Sequence, residues 1–371
     1  MKWQKSSKLM YADDAVLLSQ TKVGLKQALE KFNDQYGHSP EPDLRHYLQL
    51  YDTMQLKNND RDGNQTEPIM FILLDFNNED LWVLFSILFL PVYLVTMAGN
   101  ILIVILVVLN QHLHTPMYFF LGNLSCLETC YTSTIMPRML VSFLTGDRSI
   151  SIKGCFTQLY FFGSLAAAEC YFLAVMSYDR YLAICKPLHY TILMNDRICI
   201  LLIVGPWIIA FLAISPIIFF MSQLNFCGPN KINHFFCDFT PLVRLSCNET
   251  DLVETTAFIM SFIGTLAPFV ITVSSYVYII KNILRIPSTT GKQKAFSTCS
   301  SHLTVVACFY GSLMIVYVLP NMSSLSDLKK LFALFYTLLT PLVNPIVYSL
   351  RNKEVKEAIK KTCKILQRYY Y

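Results

Sequence analysis

Two carboxylic acids stand inside long apolar stretches of this 371-residue chain, Glu128 in one stretch and Glu169 in another. A third acid begins the triplet Asp179-Arg180-Tyr181, which lies near the far end of the stretch that holds Glu169. A charge without a partner costs several kcal/mol in hydrocarbon, so residues of this kind mark functional sites. Asp179 can pair with the arginine that follows it. The sequence therefore predicts polar sites with a function inside an otherwise apolar chain.

The composition indicates a membrane protein. Hydrophobic residues make up 54% of the chain, charged residues only 15%, and the mean hydropathy is +0.42. Each crossing of a bilayer needs about 20 apolar residues. Runs of that kind lie at about 81–109, 116–142, 155–185, 198–222, 253–284, 296–319 and 329–350. The predicted fold class is an all-α membrane protein, a seven-transmembrane helix bundle, rather than several soluble domains.

Basic residues are concentrated outside the apolar runs. The segment 281–294 carries four lysines or arginines and no acid, and the tail after residue 350 is rich in lysine. By the positive-inside rule both lie in the cytoplasm, and seven spans then put the N-terminus outside. The apolar residues of the tail share one helical face: Val355, Ile359, Cys363 and Leu366. Residues 351–371 are therefore predicted to form a cytoplasmic amphipathic helix and tail on anionic membrane lipids.

Four of the twelve cysteines fall on the outer side of this topology. Cys155 lies at the outer end of the third apolar run, and Cys227, Cys237 and Cys247 lie between the fourth and the fifth. The outer side is oxidising, so disulfides are expected there. Four cysteines allow three pairings, and the spacing leaves all three open.

Long phrases of the sequence resemble one family. They are Leu113–Leu121 (LHTPMYFFL), Met176–Tyr190 (MSYDRYLAICKPLHY), Lys294–Thr304 (KAFSTCSSHLT) and Pro341–Asn352 (PLVNPIVYSLRN). The first three closely resemble olfactory receptors, a branch of the rhodopsin-like G protein-coupled receptors. The last contains the Asn-Pro-x-x-Tyr motif of the wider superfamily. The resemblance covers about residues 64–366.

The resemblance implies a receptor rather than an enzyme. Its expected partners are a small volatile odorant, a stimulatory olfactory G protein that raises cyclic AMP, and membrane lipids; no nucleic acid is expected. The implied location is the plasma membrane, crossed several times. The family's ligand-binding positions map onto Phe162, Gly163, Ala166, Ala167, Met260, Ser261, Gly264, Tyr310, Leu313, Met314, Tyr317 and Thr337. This set is apolar with a few hydroxyl groups and no ionised group, which suits a small, neutral, mostly hydrophobic molecule.

The resemblance also implies a switch at the inner end of the bundle. Asp179 and Arg180 pair in the silent receptor, and outward movement of the sixth span frees the arginine for a G protein helix. The coupling and switch residues are Asp179, Arg180, Tyr181, Tyr276, Asn344, Pro345 and Tyr348. A proline inside a span, such as Pro345, frees backbone groups and makes a hinge.

Other roles follow from the same resemblance. Cys155 is expected to pair with Cys237, and Cys227 with Cys247. Glu128 stands where related receptors usually have aspartate, and the family places it near Glu169, Asn100 and Asn344. Two carboxylates in one dry site cannot both stay ionised without a partner. Either one is protonated or a cation such as sodium lies between them; no other cofactor is expected.

The outer loop holds His234-Phe-Phe-Cys237-Asp238, whose spacing also fits a metal site. If Cys237 forms a disulfide it has no thiolate to offer. The favoured interpretation is therefore that His234 and Asp238 shape a lid over the ligand cavity.

The N-terminal part of the chain divides in two. Residues 1–53 contain Leu9–Ser19 (LMYADDAVLLS), which resembles a fragment of a non-LTR retrotransposon reverse transcriptase. Paired aspartates there would hold two metal ions, but a polymerase needs far more chain, so we expect a transposon-derived exon or a gene-model artefact with Met54 as the natural start. Residues 54–80 are expected to be the outer N-terminus, glycosylated at Asn64 (Asn-Gln-Thr). Residues 81–350 form the receptor domain.

Three functions from different classes remain. The favoured one is an odorant receptor. A receptor of the same fold for a non-olfactory small molecule is the alternative, and the tissue of expression would discriminate between them. A reverse transcriptase is the third, and removal of residues 1–53 tests it.

Overall fold

A computed structural model of the protein describes residues 70–74, 81–227, 230–285, 287–318, 326–351 and 353–370. The retrotransposon-like extension, its boundary at Met54 and the acceptor Asn64 lie outside these residues. The described chain forms a bundle of long helices that we call the first to the seventh span. They are Leu81–Leu109, Pro116–Thr145, Ile152–Cys185, Asp196–Met221, Asp251–Arg285, Thr289–Val318, and the pair Ser326–Leu334 and Thr340–Arg351.

The seven spans predicted from the sequence are all present as helices. The sixth begins seven residues earlier than expected, at Thr289, because the helix continues beyond its apolar part. Within the described residues, five helices are long and apolar enough to cross a membrane by length and composition. The second and the sixth span are not among them. The second carries Glu128 and several hydroxyl residues, of which Ser125, Thr132 and Ser142 are buried. The sixth contributes a shorter apolar helix, His302–Val316.

The seventh span is irregular in its middle. Its two helical parts are joined by a π-helical turn, Phe335–Leu339, and Pro345 follows inside the second part. Turns of this kind and prolines both disturb the ladder of backbone hydrogen bonds and often occur at functional sites. The freed carbonyl of Pro341 accepts a hydrogen bond of 3.0 Å from the Asn100 side chain in the first span. The disturbed segment is thus joined to its neighbour.

A small sheet covers one end of the bundle, which we call the outer end. Its middle strand is β1, Met70–Leu73, which pairs antiparallel with β2, Ser149–Ser151, and parallel with β3, Lys231–Ile232. Phe71 and Leu73 are buried in an apolar cluster of the outer loops. This sheet was not predicted from the sequence. Its middle strand ties the segment before the first span to both outer loops.

Two disulfides fix the longest outer loop. Cys155 at the start of the third span is bonded to Cys237, and Cys227 is bonded to Cys247. Of the three pairings that the spacing left open, the structure contains the one that the resemblance implied. The first bond holds the loop directly above the third span.

Two short helices lie at the opposite, inner end. Pro187–Leu193 follows the third span directly, and Lys353–Tyr370 follows the seventh. The second agrees with the amphipathic helix predicted for the tail, since Val355 and Ala358 are buried while Lys356 and Lys360 are exposed.

Candidate ligand pocket and coupling site

The two interior acids are fully buried. Glu128 and Glu169 each have 0% of their surface exposed, and they lie near enough to repel each other electrostatically. The Asn344 amide donates a hydrogen bond to one oxygen of Glu128. The acids of the second and third spans and the amide of the seventh therefore meet in one dry site, as the resemblance implied.

This site contains several side-chain oxygen atoms that accept no hydrogen bond from any residue that the structure describes. Five of the buried oxygens that have no hydrogen-bond partner among the described residues belong to these four side chains: Glu128 Oε2, Glu169 Oε1 and Oε2, Asn100 Oδ1 and Asn344 Oδ1. Buried polar atoms without a partner are costly, so something must satisfy them. Carboxylate and amide oxygens are the ligands that hard cations prefer. The residues present fit either a cation or a proton shared by the acids.

The Asp-Arg-Tyr triplet forms a second polar site at the inner end. Asp179 is 1% exposed, and its carboxylate lies 3.6 Å from the guanidinium of Arg180. The hydroxyl of Tyr190, in the short inner helix, donates to the same carboxylate at 2.7 Å. Burial and the hydrogen bond to Asp179 raise the pKa of Tyr190, so its hydroxyl stays protonated. Asp179 is therefore held by one cation and one hydroxyl, and the sequence had predicted only the cation.

A third contact joins the inner halves of the fifth and sixth spans. The Tyr276 hydroxyl lies 2.5 Å from Nδ1 of His302, and His302 is 3% exposed. Tyr276 was predicted as a switch residue, whereas no role was predicted for His302. A histidine inside an apolar run was the signal that could have identified it. This contact holds the sixth span against its neighbour.

The predicted ligand residues divide into two groups. Phe162, Tyr310 and Thr337 are almost completely buried in the bundle. The Phe162 ring stacks on Tyr131 at 5.4 Å between centroids and lies 6.2 Å from Tyr336. The second, third and seventh spans therefore meet around Phe162, in an apolar environment.

The other members lie at varied depths. Ala166, Ala167, Met260 and Leu313 are half-buried, and Gly264 is buried. A Cβ atom at Gly163 would meet Ile214 of the fourth span at 3.4 Å, so this glycine faces that helix. Ser261 is exposed and Met314 is 46% exposed. The side chain of Tyr317 lies outside the described residues.

The outer loop adds residues to the roof above Phe162. The ring of Phe236, which is fully buried, lies 4.7 Å from the ring of Phe162. His234 packs against Phe236 at 4.4 Å. His234 thus lies in the loop above Phe162, where a lid residue is expected, but it is Phe236 that contacts Phe162 directly. The adjacent Cys237 is in a disulfide, so a metal site in this segment would have no thiolate ligand.

The fold is that of a rhodopsin-like G protein-coupled receptor. The structure of squid rhodopsin aligns with 79% of this chain and 88% of its own, with a TM-score of 0.64. The two sequences are only 17% identical, so this likeness shows the fold alone.

Sequence comparisons narrow the class to a family. The olfactory receptor family model matches residues 89–366. Human olfactory receptor 2AP1 is 48% identical over 305 residues, which cover 82% of this chain and 98% of that receptor. Human olfactory receptor 6B1 is 47% identical over 299 residues, covering 80% and 96%. This chain belongs to the olfactory receptor family, and it is therefore a multi-pass membrane receptor and not an enzyme.

Proposed function

We propose that this odorant receptor binds small, neutral, mostly hydrophobic volatile molecules between its spans, beneath the outer loop. The observation that carries the proposal is the environment of Phe162, which is buried against Tyr131, Tyr336 and Phe236. A receptor for amines would need a carboxylate in place of Phe162, and the twelve predicted ligand residues contain none. Affinity then comes from buried apolar surface, with one or two hydrogen bonds for orientation.

The partner on the inner side is a stimulatory olfactory G protein, and the N-terminus lies outside the cell. In the silent state Asp179 holds Arg180, and the contact between Tyr276 and His302 holds the sixth span inward. A ligand can shift this equilibrium only by its differential affinity for the two states. Outward movement of the sixth span separates Tyr276 from His302 and opens a crevice in which Arg180 contacts the G protein.

The test is a cyclic AMP assay in cells that contain the olfactory G protein, with a panel of neutral volatile compounds. We expect Arg180→Ala to reach the cell surface at the wild-type level and to lose the ligand response. Arg197→Ala is the matched control, because this arginine is exposed at the inner end of the fourth span. Full signalling by Arg180→Ala would remove the proposed role of the arginine.

We propose further that sodium occupies the site between Glu128 and Glu169. The support is the set of buried oxygens without a partner, all of them suited to a hard cation. If sodium stabilises the silent state, its replacement by a large organic cation lowers the ligand concentration needed for half-maximal response. We expect Glu169→Gln to abolish this difference. A wild-type receptor that is indifferent to sodium would favour the shared proton instead.

A further inference from the structure

We propose that His234, in the outer loop, is a specificity-determining residue that forms a hydrogen bond with a hydroxyl group of the ligand. The ligand class that the receptor prefers is then the alcohols among neutral volatile compounds. This inference rests on the proposed function, since it concerns the same ligand pocket.

The backbone places His234 in the roof of the pocket. Its backbone N–H donates to the carbonyl of Ile232 at 2.8 Å, which turns the chain inward directly after strand β3. The disulfide of Cys237 with Cys155 holds the other end of the segment on the third span. The histidine side chain is only 7% exposed. Its position is therefore determined from both sides.

One aromatic ring separates His234 from the predicted ligand site. The imidazole lies 4.4 Å from the ring of Phe236, and Phe236 lies 4.7 Å from Phe162. The proposed ligand lies along the edge of the Phe236 ring, where it contacts Phe162 and the imidazole together. Phe162 is surrounded by aromatic rings, and His234 supplies a polar atom next to them.

The polar atom of interest is Nδ1. It is buried, and among the described residues it has no hydrogen-bond partner. Burial, together with the nearby Lys330 cation, lowers the pKa of His234 to about 3, so the ring is neutral at physiological pH. In a neutral imidazole Nδ1 is either a donor or an acceptor. In the tautomer that carries its proton on Nε2, Nδ1 is the acceptor, and the hydroxyl group of an alcohol can donate to it.

A lysine close to His234 disfavours positively charged ligands. The ammonium group of Lys330, at the start of the seventh span, donates to Oδ1 of Asn233 at 2.6 Å. A second cation at this corner would be repelled, which disfavours amines. A hydroxyl group carries no charge and needs only one partner.

The experiment compares straight-chain alcohols with the methyl ethers of the same carbon skeletons, in the cyclic AMP assay. An ether accepts a hydrogen bond but cannot donate one. For the wild-type receptor we expect alcohols to be roughly 2- to 10-fold more potent than ethers, the range of one net hydrogen bond. His234→Phe keeps the ring packing and removes Nδ1, so the preference should disappear while ether responses persist.

A second variant separates recognition from packing. In His234→Asn the side-chain oxygen can stand in for Nδ1, and we expect it to restore part of the preference for alcohols. Lys231→Gln is the control, since this residue is exposed on strand β3. An unchanged ratio of alcohol to ether potency in His234→Phe overturns the inference alone. A wild-type receptor that responds to other neutral volatile compounds but to neither series also overturns the inference alone, whereas one that reaches the surface and responds to no neutral volatile compound overturns the proposed function, and this inference with it.

Discussion

At the scale of single residues, the buried polar groups decide how the receptor switches. Asp179 is shared between Arg180 and Tyr190, so release of the arginine does not leave the carboxylate without a partner. A buried carboxylate that keeps a hydrogen-bond partner costs less than one left with none. The hydroxyl of Tyr190 therefore lowers the cost of opening the pair.

Acid should destabilise the receptor through His234. The unfolded chain binds a proton there below about pH 6.5, whereas the folded receptor, with a pKa lowered to about 3, does not. Stability is therefore lost as the pH falls through that window, by about 1.4 kcal/mol at about pH 5.5. We expect thermal unfolding of the purified receptor in nanodiscs to be less sensitive to acid in His234→Asn than in wild type.

The control for this measurement is His189→Asn, because His189 is exposed on the short inner helix. It should show the acid dependence of the wild-type receptor. Equal acid dependence in both variants would contradict the assignment to His234.

At the scale of elements, the outer sheet is an unexpected structural feature. Strand β1 has only four residues, yet it contacts both outer loops and buries Phe71 completely. A two-stranded pairing alone is weak in water, whereas a third strand and an apolar cluster make it stable. The segment before the first span is thus an integral part of the outer end.

We expect Phe71→Ala to destabilise the folded receptor by about 3–5 kcal/mol, the usual cost of removing a buried phenylalanine. The ring packs edge-to-face on Phe226 at 5.4 Å, and this contact would be lost. Surface display in cells and thermal unfolding measure the effect. Met70→Ala, at a neighbouring position that is 45% exposed, should change little. Wild-type display and unfolding of Phe71→Ala would show that the strand is dispensable.

At the scale of the whole molecule, the receptor is defined by residues from strand β1 onward. The family match begins at residue 89, and the described structure begins at residue 70. The retrotransposon-like residues 1–53 precede both.

We expect a chain that begins at Met54 to reach the surface and to signal like the full chain, because it keeps the predicted outer N-terminus and every contact described for the bundle. Cyclic AMP dose-response curves and surface labelling of both chains provide the comparison. A lower maximal response of the shorter chain at equal surface level would assign a function to the extension.

The sequence by itself determined the seven helices, their order and the family. Long apolar runs can satisfy their backbone groups in a bilayer only as helices, so hydropathy is a sufficient signal. The family phrases also supplied the disulfide pairing and the meeting of Glu128 with Asn344.

Only the tertiary structure decided what depends on distant partners. Strand β1 shows no alternation of polar and apolar residues, and its partners lie about 80 and 160 residues away. The contacts of Tyr190 with Asp179 and of His302 with Tyr276 join different helices, and no local pattern encodes them. The exposure of Met314 likewise depends on how the sixth span is rotated. Side-chain pairing between elements follows from packing, which hydropathy and spacing do not specify.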